Sequence, residues 1–288
     1  MKAPVFFILY FLAASLLAAL IAYPLFQMVG NETYRFESWV TRGALLFLVL
    51  GIIPCFKLFD LSMLSIGYNK PFGLTLKQIS IGFIFGLLIL SVVISMLFFL
   101  EIRVIDAGKA LTSSILLKAL LAGLLIALIE ETLFRGLFFK LAELWHNSFS
   151  AVVISSFFYA ILHFIKPFKH IDQSALTFSS GFDVIINAFY GLGNAQLDDF
   201  LALFSVGILL ALVRLKTNSL TFCIGLHASW VLLIKLYKEL SDDNKLSNWT
   251  FLTGQYDGII GWLSFSWLTW LVIIYVIYVI KPLNKSIA

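Results

Sequence analysis

Apolar residues run along this chain in long blocks, separated by short clusters of Gly, Pro, Asn and charge. A helix that crosses a bilayer needs about 20 mostly apolar residues at 1.5 Å rise each. Blocks at 5–29, 39–59, 76–100, 115–140, 150–165, 198–213, 219–238 and 259–280 meet or approach that length and predict eight transmembrane helices. The first block is longer than the roughly 7–15 residues of a signal-peptide core. It ends in Phe26-Gln27-Met28 rather than a small-residue cleavage site, so it reads as a retained anchor. Breaks between blocks include Gly67-Tyr68-Asn69-Lys70-Pro71, Lys166-Pro167 and Ser241-Asp242-Asp243-Asn244-Lys245. The stretch 175–192 is half apolar but interrupted by Ser179, Ser180, Gly181, Asp183 and Asn187, which suits an interfacial or re-entrant segment better than a ninth span.

Composition agrees. Apolar residues make up 61% of the 288 and charged residues 12%, against roughly 45–50% and about 25% in soluble domains. So few charges cannot cover a water-facing surface, which excludes a disordered chain, a nucleic-acid-binding domain and a secreted disulfide scaffold. The net charge of +4 is scattered Lys and Arg at the flanks of spans. Cys55 and Cys223 lie in apolar runs and read as small core residues. The expectation is an all-α, polytopic membrane protein. With eight helices, each side of the membrane carries ten Lys and Arg, Lys281 and Lys285 among those on the side of the termini. The positive-inside rule is therefore nearly balanced, and we place the termini in the cytoplasm, in the inner membrane if the cell is bacterial. Asn31-Glu32-Thr33 and Asn248-Trp249-Thr250 match the glycosylation triplet and fall on the other side. Trp39, Trp145, Trp249 and Tyr256 sit near span ends, where amphipathic rings settle, and need no further role.

Ionisable residues inside spans cost about 2.5–3.5 kcal/mol each at the helix centre, so they require a reason. The fourth span contains Glu130, Glu131 and Arg135. Glu131 and Arg135 are four apart, on one face, with the acid towards the N-terminus, and can pair. Glu130 is turned about 100° away from them. Two of the four histidines, His163 and His227, also fall in apolar blocks. Glu130 lies roughly 12 Å before its helix leaves the membrane, and His227 roughly 12 Å after its helix enters from that side, so the two are level. His163 is about 8 Å deeper unless its helix begins outside the hydrocarbon, which His146-Asn147-Ser148 permits. One carboxylate and two imidazoles from three helices can thus meet.

Glu-Glu-x-x-x-Arg in one span, an aromatic residue four before a His in the next, and a further His downstream resemble the CPBP (Abi) family of intramembrane proteases, which includes the type II CAAX prenyl endopeptidases. The resemblance covers about residues 115–235. It divides the chain into N-terminal helices at 1–110, a protease-like core at 111–240 and a loop with a last helix at 241–288. It implies that Glu130 activates water, that His163 helps position it, and that His227 donates to the oxyanion at the scissile carbonyl. Glu131 and Arg135 would shape and charge-balance the site. Two positions depart from the family pattern: Tyr159 stands where Phe is usual, and Val231 stands where Asn or another polar residue often supplies a second oxyanion donor. Losing one such donor typically costs about 10²–10³ in rate.

The residues carry that chemistry by themselves. A desolvated Glu can accept and return a proton near neutral pH, and neutral imidazoles can position and donate. Glu130, His163 and His227 also match the ligands of a catalytic zinc with an open position; no His-Glu-x-x-His is present, and a metal-free glutamate mechanism is favoured. The implied partners are a peptide or lipidated protein in the membrane and the bilayer itself, with no nucleic acid. Two other readings stay open. A catalytically weak relative could use the cavity to bind a partner, which Val231 favours. A proton-coupled transporter also uses intramembrane Glu and His, although no inverted repeat is visible.

Overall fold

A computed structural model describes residues 2–30 and 34–280; the Asn31 triplet, Lys281 and Lys285 lie outside them. The protein is 76% helical with almost no sheet, as the apolar blocks require. In chain order the helices are α1 (Lys2–Val29), α2 (Phe36–Leu50), α3 (Ile52–Leu58), α4 (Met63–Ile66), α5 (Phe72–Phe99), α6 (Ser113–Glu131), α7 (Phe139–Trp145), α8 (Ser148–Leu162), α9 (Ser180–Tyr190), α10 (Leu197–Thr217), α11 (Thr221–Leu240) and α12 (Trp262–Tyr275). A π-helical segment, Thr132–Phe138, joins α6 to α7 without a break. Two short strands, β1 (Arg103–Ile105) and β2 (Ser241–Asp243), pair antiparallel.

Among the described residues, six helical stretches are long and apolar enough to cross a membrane: Lys2–Val29, Phe36–Leu58, Phe72–Phe99, Ser113–Trp145, Leu197–Thr217 and Trp262–Val279. The other two expected spans are α8, only 15 residues long, and α11, whose His227, Lys235 and Lys238 dilute its apolar character. The stretch 175–192 yields α9, whose 11 residues are too few to cross a bilayer. Large apolar side chains such as Leu9, Leu88 and Leu125 point outwards and are exposed. Lipid chains solvate such side chains as the interior of a soluble protein would, so this exposure fits a protein inserted in a bilayer.

The chain forms two compact units, Met1–Ser62 with Phe158–Ala195, and Met63–Phe157 with Gln196–Ala288; the division falls inside α8. In the first unit α1 packs on α2 and α9, around Ala22, Phe36, Val40 and Val184. Glu37 accepts hydrogen bonds from the Ile171 N–H at 2.7 Å and Gln173 Nε2 at 3.3 Å, which ties the segment after α8 onto α2. Tyr10 donates to Leu48 O beside the Gly51 joint between α2 and α3.

In the second unit α11 is held between α5 and α6. The contact is backbone to backbone. A Cβ at Gly82 would strike Phe222 O, one at Gly86 would strike Leu226 O, one at Gly123 would strike Ala228 O, and one at Gly225 would strike Ile79 O. Small residues at such seams let helices approach where no hydrophobic force drives them together. Trp230 Nε1 then donates to Gly86 O at 3.0 Å and fixes the rotation of α11. The loop-side ends of α5 and α11 are closed by β1 and β2, where Arg103 donates to Ser241 Oγ at 2.9 Å and pairs with Asp243 at 2.6 Å. Gly225→Val is expected to overpack the α5–α11 seam, at a cost of about 1–3 kcal/mol. The readout is the thermal midpoint of the purified protein in detergent, and an unchanged midpoint would show that the seam has slack.

Candidate active site

Four of the residues singled out in the sequence meet in the second unit. Glu130 and Glu131 end α6, Arg135 lies on the π-helical segment and His227 lies on α11. The π-helix widens the backbone immediately after the two acids, a distortion that recurs at functional sites. Tyr68 braces its first residue: Tyr68 O–H donates to Thr132 Oγ1 at 2.5 Å, and Thr132 donates to Leu128 O.

The imidazole of His227 lies between the two carboxylates. Its Nδ1 is 2.8 Å from Glu131 Oε1 and its Nε2 is 3.8 Å from Glu130 Oε2. The short contact fixes the ring: Nδ1–H donates to Glu131, and Nε2 faces Glu130. Glu131 is in turn 3.4 Å from Arg135 Nη1, and Arg135 Nη2 reaches Gly207 O on α10 at 3.4 Å. Glu131 and Arg135 are completely buried, while the Glu130 side chain keeps 24% exposure. The adjacent acids therefore have different surroundings. One is enclosed and faces a guanidinium; the other borders open space.

Val231 is one turn beyond His227 on α11, on the same side of the helix, and brings no polar atom there. Cys223 donates to Leu210 O at 3.3 Å and, like Cys55, is a buried thiol within its own unit.

Tyr159 and His163 belong to the first unit. The sequence places His163 inside a span running to 165, but α8 ends at Leu162 and His163 occupies the turn that follows. Lys166-Pro167 keeps any helix from running past 165, because the residue before a proline is pushed out of the helical region. Within that unit His163 Nδ1 is 2.6 Å from Tyr159 O, and the two rings are 4.5 Å apart. A ring whose Nδ1–H is given to a carbonyl carries its lone pair on Nε2 when neutral. Among the described residues no three His, Cys, Asp or Glu side chains are grouped to hold a metal ion.

The Glu131–His227 hydrogen bond is the part of the site that sequence reasoning missed. A count of helical rise gives depth but not which acid a ring nitrogen faces.

Residues 112–233 match the family described as type II CAAX prenyl endopeptidase Rce1-like. The matched segment contains Glu130, Glu131, Arg135, Tyr159, His163, His227 and Val231. It bears out the resemblance read from those residues and supports a CAAX-type intramembrane protease, with a peptide or protein substrate in the membrane. No curated protein and no solved structure matches the chain.

Proposed function

We propose that the chain is an intramembrane endopeptidase in which Glu130 activates a water molecule. The observation that carries this reading is the His227 ring held by buried Glu131 with its other nitrogen turned to the more open Glu130. A carboxylate beside open space and a fixed imidazole facing it are the two groups that water attack on a carbonyl needs. Glu130 takes a proton from water as the water oxygen bonds to the carbonyl carbon, and the carbonyl electron pair moves onto oxygen. His227, with a proton on each ring nitrogen and its Nδ1–H given to Glu131, donates its Nε2–H to that oxyanion, and the Glu131 carboxylate supports the positive charge of the ring. Arg135 balances the charge of Glu131 behind the ring. The proton on Glu130 passes to the amide nitrogen as the C–N bond breaks. The family resemblance gives His163 a water-positioning role, for which the lone pair on its Nε2 is suited.

The substrate is a peptide segment near the C-terminus of a membrane-associated protein, carrying a lipid that keeps it in the bilayer. We place the termini in the cytoplasm, and the site opens towards their side. The test uses purified protein in detergent with a panel of prenylated and unprenylated peptides, read by mass spectrometry. Cleavage is expected, and a metal chelator is expected to leave its rate unchanged. Loss of activity on chelation with recovery on adding zinc would overturn the glutamate mechanism. A folded protein that cleaves no peptide in the panel would favour a partner-binding role for the same cavity.

A further inference from the structure

The loop between β2 and α12 follows the end of α11 that lies away from the α10–α11 turn, and it lies beyond the segment that matches the family. Asp199, in the first turn of α10 and 2% exposed, accepts two backbone hydrogen bonds on Oδ2, from the N–H groups of Gln255 and Tyr256, at 3.1 Å each. The chain approaches so closely that a Cβ at Gly254 would strike the Asp199 carboxylate. The loop is also tied to itself: Gly254 N–H donates to Ile260 O at 2.6 Å, and Asp257 Oδ1 accepts from Ile259 and Ile260 N–H at 2.9 Å each. Residues 254–260 therefore form a strap whose position is set by one buried carboxylate.

The depth of that strap follows from the contact between α10 and α11. Cys223 on α11 meets Leu210 on α10, and the two helices run antiparallel across a short turn. Counted from that pair, His227 is level with Val206, and Asp199 is seven residues, or about 10 Å, further towards the strap. A tyrosine side chain and one hydrogen bond cover such a gap. Burial and the negative charges of Asp257, Glu130 and Asp199 all hold the Tyr256 phenol against ionisation, so it is within electrostatic reach of Glu130 and remains an O–H donor. Val231 lies one turn from His227 in the same direction, where the side chain is apolar.

We propose that Tyr256 is a further catalytic residue, its hydroxyl supplying the second hydrogen bond to the oxyanion that Val231 cannot give, and that Asp199 is the positioning residue that holds it there. This rests on the protease reading. The strap then closes one side of the site and leaves entry to the other.

The test compares wild type, Glu130→Gln, Tyr256→Phe and Tyr256→Phe/Val231→Asn on a peptide from the same panel. Tyr256→Phe is expected to lower kcat by about 10²–10³, with KM and thermal midpoint unchanged. Adding Val231→Asn is expected to restore at least about tenfold of that loss, since an amide on α11 replaces the missing donor. Asp199→Ala should lower kcat similarly and speed hydrogen exchange at 254–260, whereas Asp199→Asn keeps an acceptor oxygen and should do less of both. A Tyr256→Phe enzyme with wild-type kcat, or one changed only in KM or thermal midpoint, overturns the proposal. If Glu130→Gln is inactive in that same experiment, the protease reading stands and only the role of Tyr256 falls. If wild type and Glu130→Gln behave alike, or wild type cleaves nothing, both fall.

Discussion

Glu130→Gln is expected to lower peptide cleavage by about 10²–10⁴, the usual contribution of a general base, while the protein stays folded. The amide matches the carboxyl in shape but cannot take a proton from water. Folding should survive because Glu130 is the partly exposed acid, and its 3.8 Å approach to His227 is the longer of that ring's two carboxylate contacts. The measurement is initial cleavage rate beside thermal midpoint in detergent. Wild-type cleavage by Glu130→Gln would place the base elsewhere. A proton-coupled transporter would respond differently, with pH-dependent flux blocked by the substitution and no peptide processed.

Arg135→Leu is expected to act chiefly on folding. Glu131 and Arg135 have no exposure at all, and removing one member of a buried ion pair typically costs about 3–5 kcal/mol because the other charge is left uncompensated. A lower thermal midpoint and lower yield of folded protein are the expected results. The double variant Glu131→Gln/Arg135→Met removes both charges and should recover most of that stability. It should not recover turnover, because the neutral amide can still accept the His227 Nδ1–H but no longer supports positive charge on the ring. A double variant with wild-type turnover would show that the pair serves packing alone. The same buried Arg135 would then be a structural residue, and His227 would lose its electrostatic support as an oxyanion donor.

Much of this was legible in the sequence because membrane insertion leaves few ways to explain an ionisable residue. The apolar blocks predict an all-helical chain, and Glu131 with Arg135 pairs at the spacing that one helix face dictates. The level of His227 with the acids also follows from counting rise along two helices. What the count lacks is rotation. Which acid holds Nδ1 depends on how α11 is turned, and that is set by Gly82, Gly86 and Gly225 at a seam that carries no polar signature. Tyr256 was illegible for another reason. An aromatic residue near a span end looks the same whether it anchors at the interface or points inwards, and the backbone hydrogen bonds to Asp199 that hold its loop have no sequence signature. The strands β1 and β2 are three residues each, too short for any alternation to show.

The glycine seams and the π-helical segment together give the site walls of unequal stiffness. α11 is locked backbone to backbone against both neighbours, so the histidine has almost no freedom to slide. The acid-bearing helix gives up its regular hydrogen-bond ladder directly after Glu131, so its compliance lies one turn from the reacting carboxylates. A peptide entering the site would be accommodated by yielding of the acid wall against a stationary imidazole. Backbone amides of α11 should accordingly be among the last in the protein to exchange with deuterium, and those of 132–138 should exchange well before the helices on either side of them.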